Sequence, residues 1–342
     1  MSYIYAGVRA TKDGGAGGVY RRELGSDRWE HSFTESDAQA IMADPRHPNV
    51  VYAGTSNGPY RSTDRGAHWE RLGFPDRDAQ VWSIQIDPND PRIVYAGGSP
   101  VAVYRSDDGG DNFRRMPDPA LPERVKMPFA CRVMRIAPHP RNTGELFAAL
   151  EVGGAMHSRD GGESWDDCTE DLLRLARSPH LKSRIVSDTE NEGMLDGHAI
   201  ATTPAAPDTV FLAVRMGLFR STDAGRNWED MEVKRFSPHS YGRDLRVSPQ
   251  NPNVMYACLS PAFTSGTGSL WRSADAGRSW TRFDKTEPTN TLMGVGLHPS
   301  DPDQVFFGAR GGEVFGTIDG GRNWQSMTLP KTAGEIYAVA CG

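Results

Sequence analysis

The chain has 342 residues, with 38 Lys and Arg against 44 Asp and Glu and a formal net charge of −6. That acidic balance excludes nucleic acid as the expected partner, because phosphate binding needs clustered cations. No segment approaches the run of about 18 apolar residues that a membrane-spanning helix needs.

Length alone suggests about two domains, but radial repetition lets one domain grow by whole units. The abundance of Gly (37) and Pro (24) suits many short strands joined by tight turns. The four cysteines, Cys131, Cys168, Cys258 and Cys341, form no CxxC pair and have no zinc-ligand spacing, so reduced cysteines are expected, with no metal and no cofactor. Met-Ser-Tyr-Ile-Tyr-Ala-Gly at the start reads as a strand, without the basic and apolar regions of a signal peptide. A cytoplasmic protein without a membrane partner is the expectation, and the oligomeric state stays open.

In chain order, residues 3–7 read as the first strand. A run from Gly18-Val19-Tyr20-Arg21 to Trp29 follows, and then a unit that recurs along the rest of the chain. Each unit has a short alternating strand A (as in 40–43 and 83–86) and a Pro-rich turn (Asp44-Pro45, Asp87-Pro88). A β-rich strand B comes next (50–54, 93–97, 146–149, 210–213, 254–257, 305–308), then a loop and strand C. A turn of pattern Ser/Thr-x-Asp-x-Gly-x-x-aromatic leads into strand D.

The intact copies of that turn carry Asp64, Asp108, Asp160, Asp223, Asp275 and Asp319. In the first copy Leu24 replaces the Asp and Ser26 the Gly. The hydroxyl and carboxylate accept backbone N–H groups and close the turn, Gly takes positive φ, and the aromatic packs beneath. Copies end at Trp29, Trp69, Phe113, Trp165, Trp228, Trp280 and Trp324, a period of roughly 40 residues lengthened in the middle. The chain opens on a strand B and ends on a strand A (335–340), so the tail is expected to complete the first blade and close the ring. The expected fold is all-β: a seven-bladed β-propeller spanning 1–342 as one domain.

These units resemble the Asp-box (BNR) repeats of sialidases, xyloglucanases, sortilin-type receptors and a photosystem assembly factor, over essentially the whole chain. The resemblance implies that the six aspartates are structural, since the Asp-box of that superfamily lies away from the ligand site. Sialidases have six blades and an N-terminal Arg-Ile-Pro motif, whereas this chain counts seven units and lacks the motif.

In a propeller, strand A lines the channel, and the loops into strand A and between B and C ring its mouth. Aligned on Pro45, Pro88, Pro138, Pro204, Pro249 and Pro299, the strands A place Gln39, Trp82, Arg132, His198, Arg243 and Met293 six residues earlier, with Tyr337 as the C-terminal equivalent. Most are too large and polar for a core, so the position reads as a ring at the mouth. Long connections at 116–130, 166–197 and 232–242 lead to Arg132, His198 and Arg243, and a short helix is expected within 171–177.

Candidate catalytic residues are His198, Asp196 and Glu192, as acids or bases. Candidate ligand-binding residues are Arg132, Arg243, Trp82, Tyr337, Arg246 and His239, the arginines suiting carboxylate or phosphate. Asp244 and Arg246 share a strand face and are as readily a structural pair. His180, His198 and His239 lack metal-motif spacing. The expected function is binding and processing of a small polar or anionic molecule, with a glycan among the options, by a hydrolase or lyase. The alternative is a non-catalytic binding or assembly propeller.

Overall fold

The computed structural model describes residues 2–342, which form seven four-stranded antiparallel sheets. Six sheets are consecutive in sequence, each running A-B-C-D. Their strands A are Ala38–Ala43, Gln80–Ile86, Val133–Pro138, Gly197–Thr203, Tyr241–Val247 and Leu292–Leu297, in blades 2 to 7. Blade 1 is composite. The C-terminal strand Glu335–Cys341 pairs with Tyr3–Arg9, matching Ile4 to Cys341 and Gly7 to Ala338, and so closes the ring.

Blades bury both faces. One apolar cluster fills each junction between neighbouring blades, for example Phe147 and Ala149 of blade 4 with Ile200 and Leu212 of blade 5. This explains strands B that are apolar throughout, such as Leu146–Leu150, where every residue is buried. Near the axis neighbouring blades touch through backbone. A Cβ on Gly54 would lie 2.7 Å from the Val81 carbonyl oxygen of the next blade, which is why this position of the strand is glycine.

The Asp-box turns are built as their residue types require. In blade 5, Ser221 Oγ accepts from Gly225 N (2.8 Å) and donates to Asp223 Oδ1 (2.8 Å). Asp223 in turn accepts from the backbone N–H and side-chain amide of Asn227 at 2.9 and 2.7 Å. The same bonds recur at Ser62, Ser106, Ser158, Ser273 and Thr317. Trp228 is buried beneath the turn and donates from Nε1 to the Cys168 carbonyl oxygen (2.9 Å).

Each of the seven strands A carries a β-bulge at one equivalent place. The residue skipped by the pairing is Gln39, Trp82, Met134, His198, Arg243, Met293 and Tyr337 in turn. Bulges re-aim a side chain, and here they define the ring position. In blade 4 the bulged residue is Met134, two residues on from the Arg132 that alignment on Pro138 selects. The A–B turn shows why. Asp44 and Asp87 accept N–H groups two residues on (2.8 Å each), and in blade 4 that cap is His139, bonded to Arg141 N at 3.1 Å. The equivalent proline is therefore Pro140.

The connection from blade 4 to blade 5 holds helix α1 (Glu170–Leu175), a 3-10 turn (Pro179–Leu181) and the single-turn α2 (Glu192–Leu195). Among the described residues no helix is long and apolar enough to cross a membrane.

Because Ser221 satisfies a buried N–H, Ser221→Ala is expected to cost about 1–3 kcal/mol in denaturant unfolding, with ligand affinity at the mouth unchanged.

Candidate functional site

Strands A enter the axis at the channel mouth, where a cavity of about 280 Å³ opens, close to the lower end of sizes for small-molecule sites. Its floor carries Arg132, Asp196, His198, Tyr241 and Arg243, with Glu151 and Arg215 from the ends of strands B. Trp82, Phe129, Ile185, Phe263 and Tyr337 make an apolar wall.

His198 is buried at 5% exposure, and its Nδ1 donates to the Gly242 carbonyl oxygen at 2.7 Å. That bond turns Nε2 toward Asp196 Oδ2 (3.3 Å) and the Tyr241 hydroxyl (3.4 Å). Arg215 Nε lies 3.5 Å from the same Asp196 oxygen. Burial alone would raise the Asp196 carboxyl, but His198, Arg215 and Arg243 outweigh it and hold it below the ordinary carboxylate range. Burial likewise pushes up the Tyr241 hydroxyl.

Glu151 and Arg132 form a second pair, with Nε and Oε2 2.5 Å apart. Burial raises the Glu151 carboxyl, Arg132 pulling it partly back and Asp196 adding to the rise. The Arg132 guanidinium stacks 4.1 Å from the Trp82 ring centre, and Trp82 meets Tyr337 edge-on at 5.9 Å. Next to Glu151, Val152 lines the cavity with φ of +52°, a left-handed conformation that is costly for a β-branched residue.

Arg243 differs from its neighbours. It is 7% exposed and lines the cavity, yet among the described residues no acceptor lies within hydrogen-bond or ion-pair distance of its guanidinium. The rim arginines are paired, Arg310 with Glu335 (2.8 Å) and Arg9 with Asp37 (3.6 Å).

The structure thus brings together Trp82, Arg132, Asp196, His198, Arg243 and Tyr337. Three other expected residues lie elsewhere. The Glu192 carboxylate accepts the N–H groups of Ile185 (2.7 Å), Val186 (3.1 Å) and Ser187 (3.0 Å) and the Ser187 hydroxyl (2.9 Å), so it shapes the loop that carries Ile185 into the cavity. His239 sits in the connection before blade 6, outside the lining, its carbonyl accepting from Ser237 Oγ at 2.8 Å. Arg246 lines a separate cavity toward the other end of the channel. Its Nε is 3.2 Å from Asp244 Oδ2, while Arg135 Nη2 is 3.1 Å from Asp244 Oδ1. Burial lowers the Arg135 guanidinium to about 10, and Arg246 adds to the effect.

Among the described residues no His, Cys, Asp and Glu cluster is placed to hold a metal; His180 faces Asp230 instead (3.0 Å). Selection by strand-A register passed over Glu151 and Arg215. Both follow strands B directly, so the same comparison applied to the B–C turns singles them out.

Residues 268–339 match the family model described as Sortilin, neurotensin receptor 3. The chain is 23% identical to a probable oligoxyloglucan-reducing end-specific xyloglucanase of Neosartorya fischeri, over 80% of this chain and 36% of that protein. Among solved structures it resembles the Niastella koreensis GH74 enzyme (TM-score 0.63, 17% identity, 94% of this chain and 46% of that one). It also resembles Ycf48 from Cyanidioschyzon merolae (TM-score 0.59, 14% identity, 88% and 87%). The chain spans about a third of the xyloglucanase it matches.

Asp244 is fully buried between two guanidiniums, and its carboxyl is lowered: burial opposes this, but Arg246, Arg135 and the Val295 N–H outweigh it. A lowered folded-state value gives stability that is present above the unfolded value near 4 and lost as pH falls through the folded one. Asp244→Asn is expected to cost about 3–5 kcal/mol at neutral pH and to flatten the acid side of a melting-temperature profile. Seven four-stranded blades with repeated Asp-box turns make this chain an Asp-box β-propeller in fold, similar to the sortilin family model over residues 268–339 and to the xyloglucanase over most of this chain's length.

Proposed function

We propose that this propeller binds a small polar or anionic carbohydrate at the channel mouth and cleaves it by general acid–base chemistry. One observation carries the reading. Glu151 and Asp196 share a walled cavity, and their surroundings shift their carboxyls in opposite directions, up for Glu151 and down for Asp196. Such a divided pair suits glycoside chemistry, in which one carboxyl protonates the departing oxygen and the other, ionised, acts on the sugar or on a water.

Glu151 is the acid in this reading and Asp196 the carboxylate. His198 and Arg215 hold Asp196 in place, and the half-buried Tyr337, backed edge-on by Trp82, offers a face for a sugar ring. Glu192 is the anchor of the 185–187 loop, not a third reacting group. The likeness to a xyloglucanase supports a glycan as the substrate class.

Glu151→Gln and Asp196→Asn are each expected to lower turnover of an oligosaccharide panel by about 10²- to 10⁴-fold with melting still cooperative. The wild-type rate should fall at acid pH as Asp196 gains its proton and at higher pH as Glu151 loses its own. Hydrolysis that survives both substitutions, or the absence of turnover on any sugar tested, sinks this reading.

A second reading has its own observation, since the likeness to Ycf48 runs nearly the full length of both chains. The same cavity then binds a ligand without turnover, and Glu151→Gln leaves affinity intact.

A further inference from the structure

The cavity holds three guanidiniums and two carboxylates. Arg132 pairs with Glu151 and Arg215 with Asp196, whereas among the described residues Arg243 has no carboxylate at ion-pair distance and acts on Asp196 only from farther off. A charge this buried is costly when unpaired. Its position is imposed by the bulge in strand Tyr241–Val247, between Gly242 and Asp244, which turns it to the mouth. Asp244, the next residue, does not compensate it, because that carboxylate is engaged by Arg135, Arg246 and the N–H groups of Leu245 and Val295. The missing anion has to come from outside the chain.

We infer that the mouth cavity takes a monocarboxylate, a uronic-acid type of sugar, whose carboxylate seats on Arg243. This deepens the proposed glycan-acting reading and rests on it. Arg243 is a single cation without a partner at ion-pair distance, so a single negative charge matches it. A phosphate dianion would carry one charge more than Arg243 matches and would face the ionised Asp196 in the same cavity. The planar guanidinium fork matches the two oxygens of a carboxylate. Beyond Arg243 the cavity turns apolar through Trp82, Phe263 and Tyr337, and at its rim Phe129 is 40% exposed, which suits the C–H face of a sugar ring above its charged end.

The test is calorimetric titration of the full chain with glucuronic acid, its methyl ester, glucose and glucose 6-phosphate, alongside hydrolysis of neutral oligosaccharides. The free acid should bind about ten- to hundredfold more tightly than the ester or glucose. Arg243→Met should abolish that preference, with Arg243→Gln as a second variant in case the first does not fold. Removing an unpaired buried cation should not lower the melting temperature. Equal binding of acid and ester, or tighter binding of the phosphate, overturns the inference. Turnover of neutral oligosaccharides without any preference for the acid also overturns it while leaving the glycan-acting reading intact. No binding and no turnover removes both.

Discussion

Seven sheets meet at one axis, and there the inner strands are held within a side chain's width of their neighbours. Everything else in the molecule follows from how the chain meets that crowding. Where strand B approaches the next blade the chain has Gly54 or Gly97, because a Cβ would strike Val81 or Val133. At the neighbouring register each strand A bulges, and the extra residue is turned to the channel mouth. The bulge is common to all blades, but the side chain it presents is free to differ. Trp82, His198, Arg243 and Tyr337 occupy the same place as Gln39, Met134 and Met293. Fold and site are therefore specified by different features of one strand.

The ring is symmetrical in backbone and lopsided in chemistry. The cavity gathers mostly on the side of blades 3 to 6, where the long connections lie, with Tyr337 of blade 1 completing its wall. Phe129 comes from one of these and Ile185 from another. The second loop is held by a single carboxylate, that of Glu192, on three successive N–H groups. Below the cavity, Arg135, Asp244 and Arg246 tie inner strands together through one ion cluster. Charge is distributed so that each mouth arginine but one faces an acid, and that exception gives the cavity its polarity.

Several residues became legible only through partners distant in sequence. Glu151 and Arg215 lie at B–C turns and look like ordinary solvated side chains until Arg132 and Asp196 are set beside them. Alignment on Pro138 selects Arg132, two residues out of register, because Pro138 and Pro140 both precede strand B and only the His139 cap distinguishes them. Arg132 still lines the cavity, from a position ahead of the bulge. Glu192 and Asp196, four residues apart, face different environments, one a loop backbone and the other a histidine and an arginine.

Blade count, the turn-forming pattern around the Asp-box aspartates and closure by the last strand could be read from residue order alone. The physical reason is range: Asp-box bonds span two to four residues, and a repeated strand pattern needs only its own period. Which acids share a cavity, which cations are paired and which one is left over depend on segments brought together from four or more blades. Such convergence is set by ring geometry and bulge register, and neither leaves a local mark on the chain.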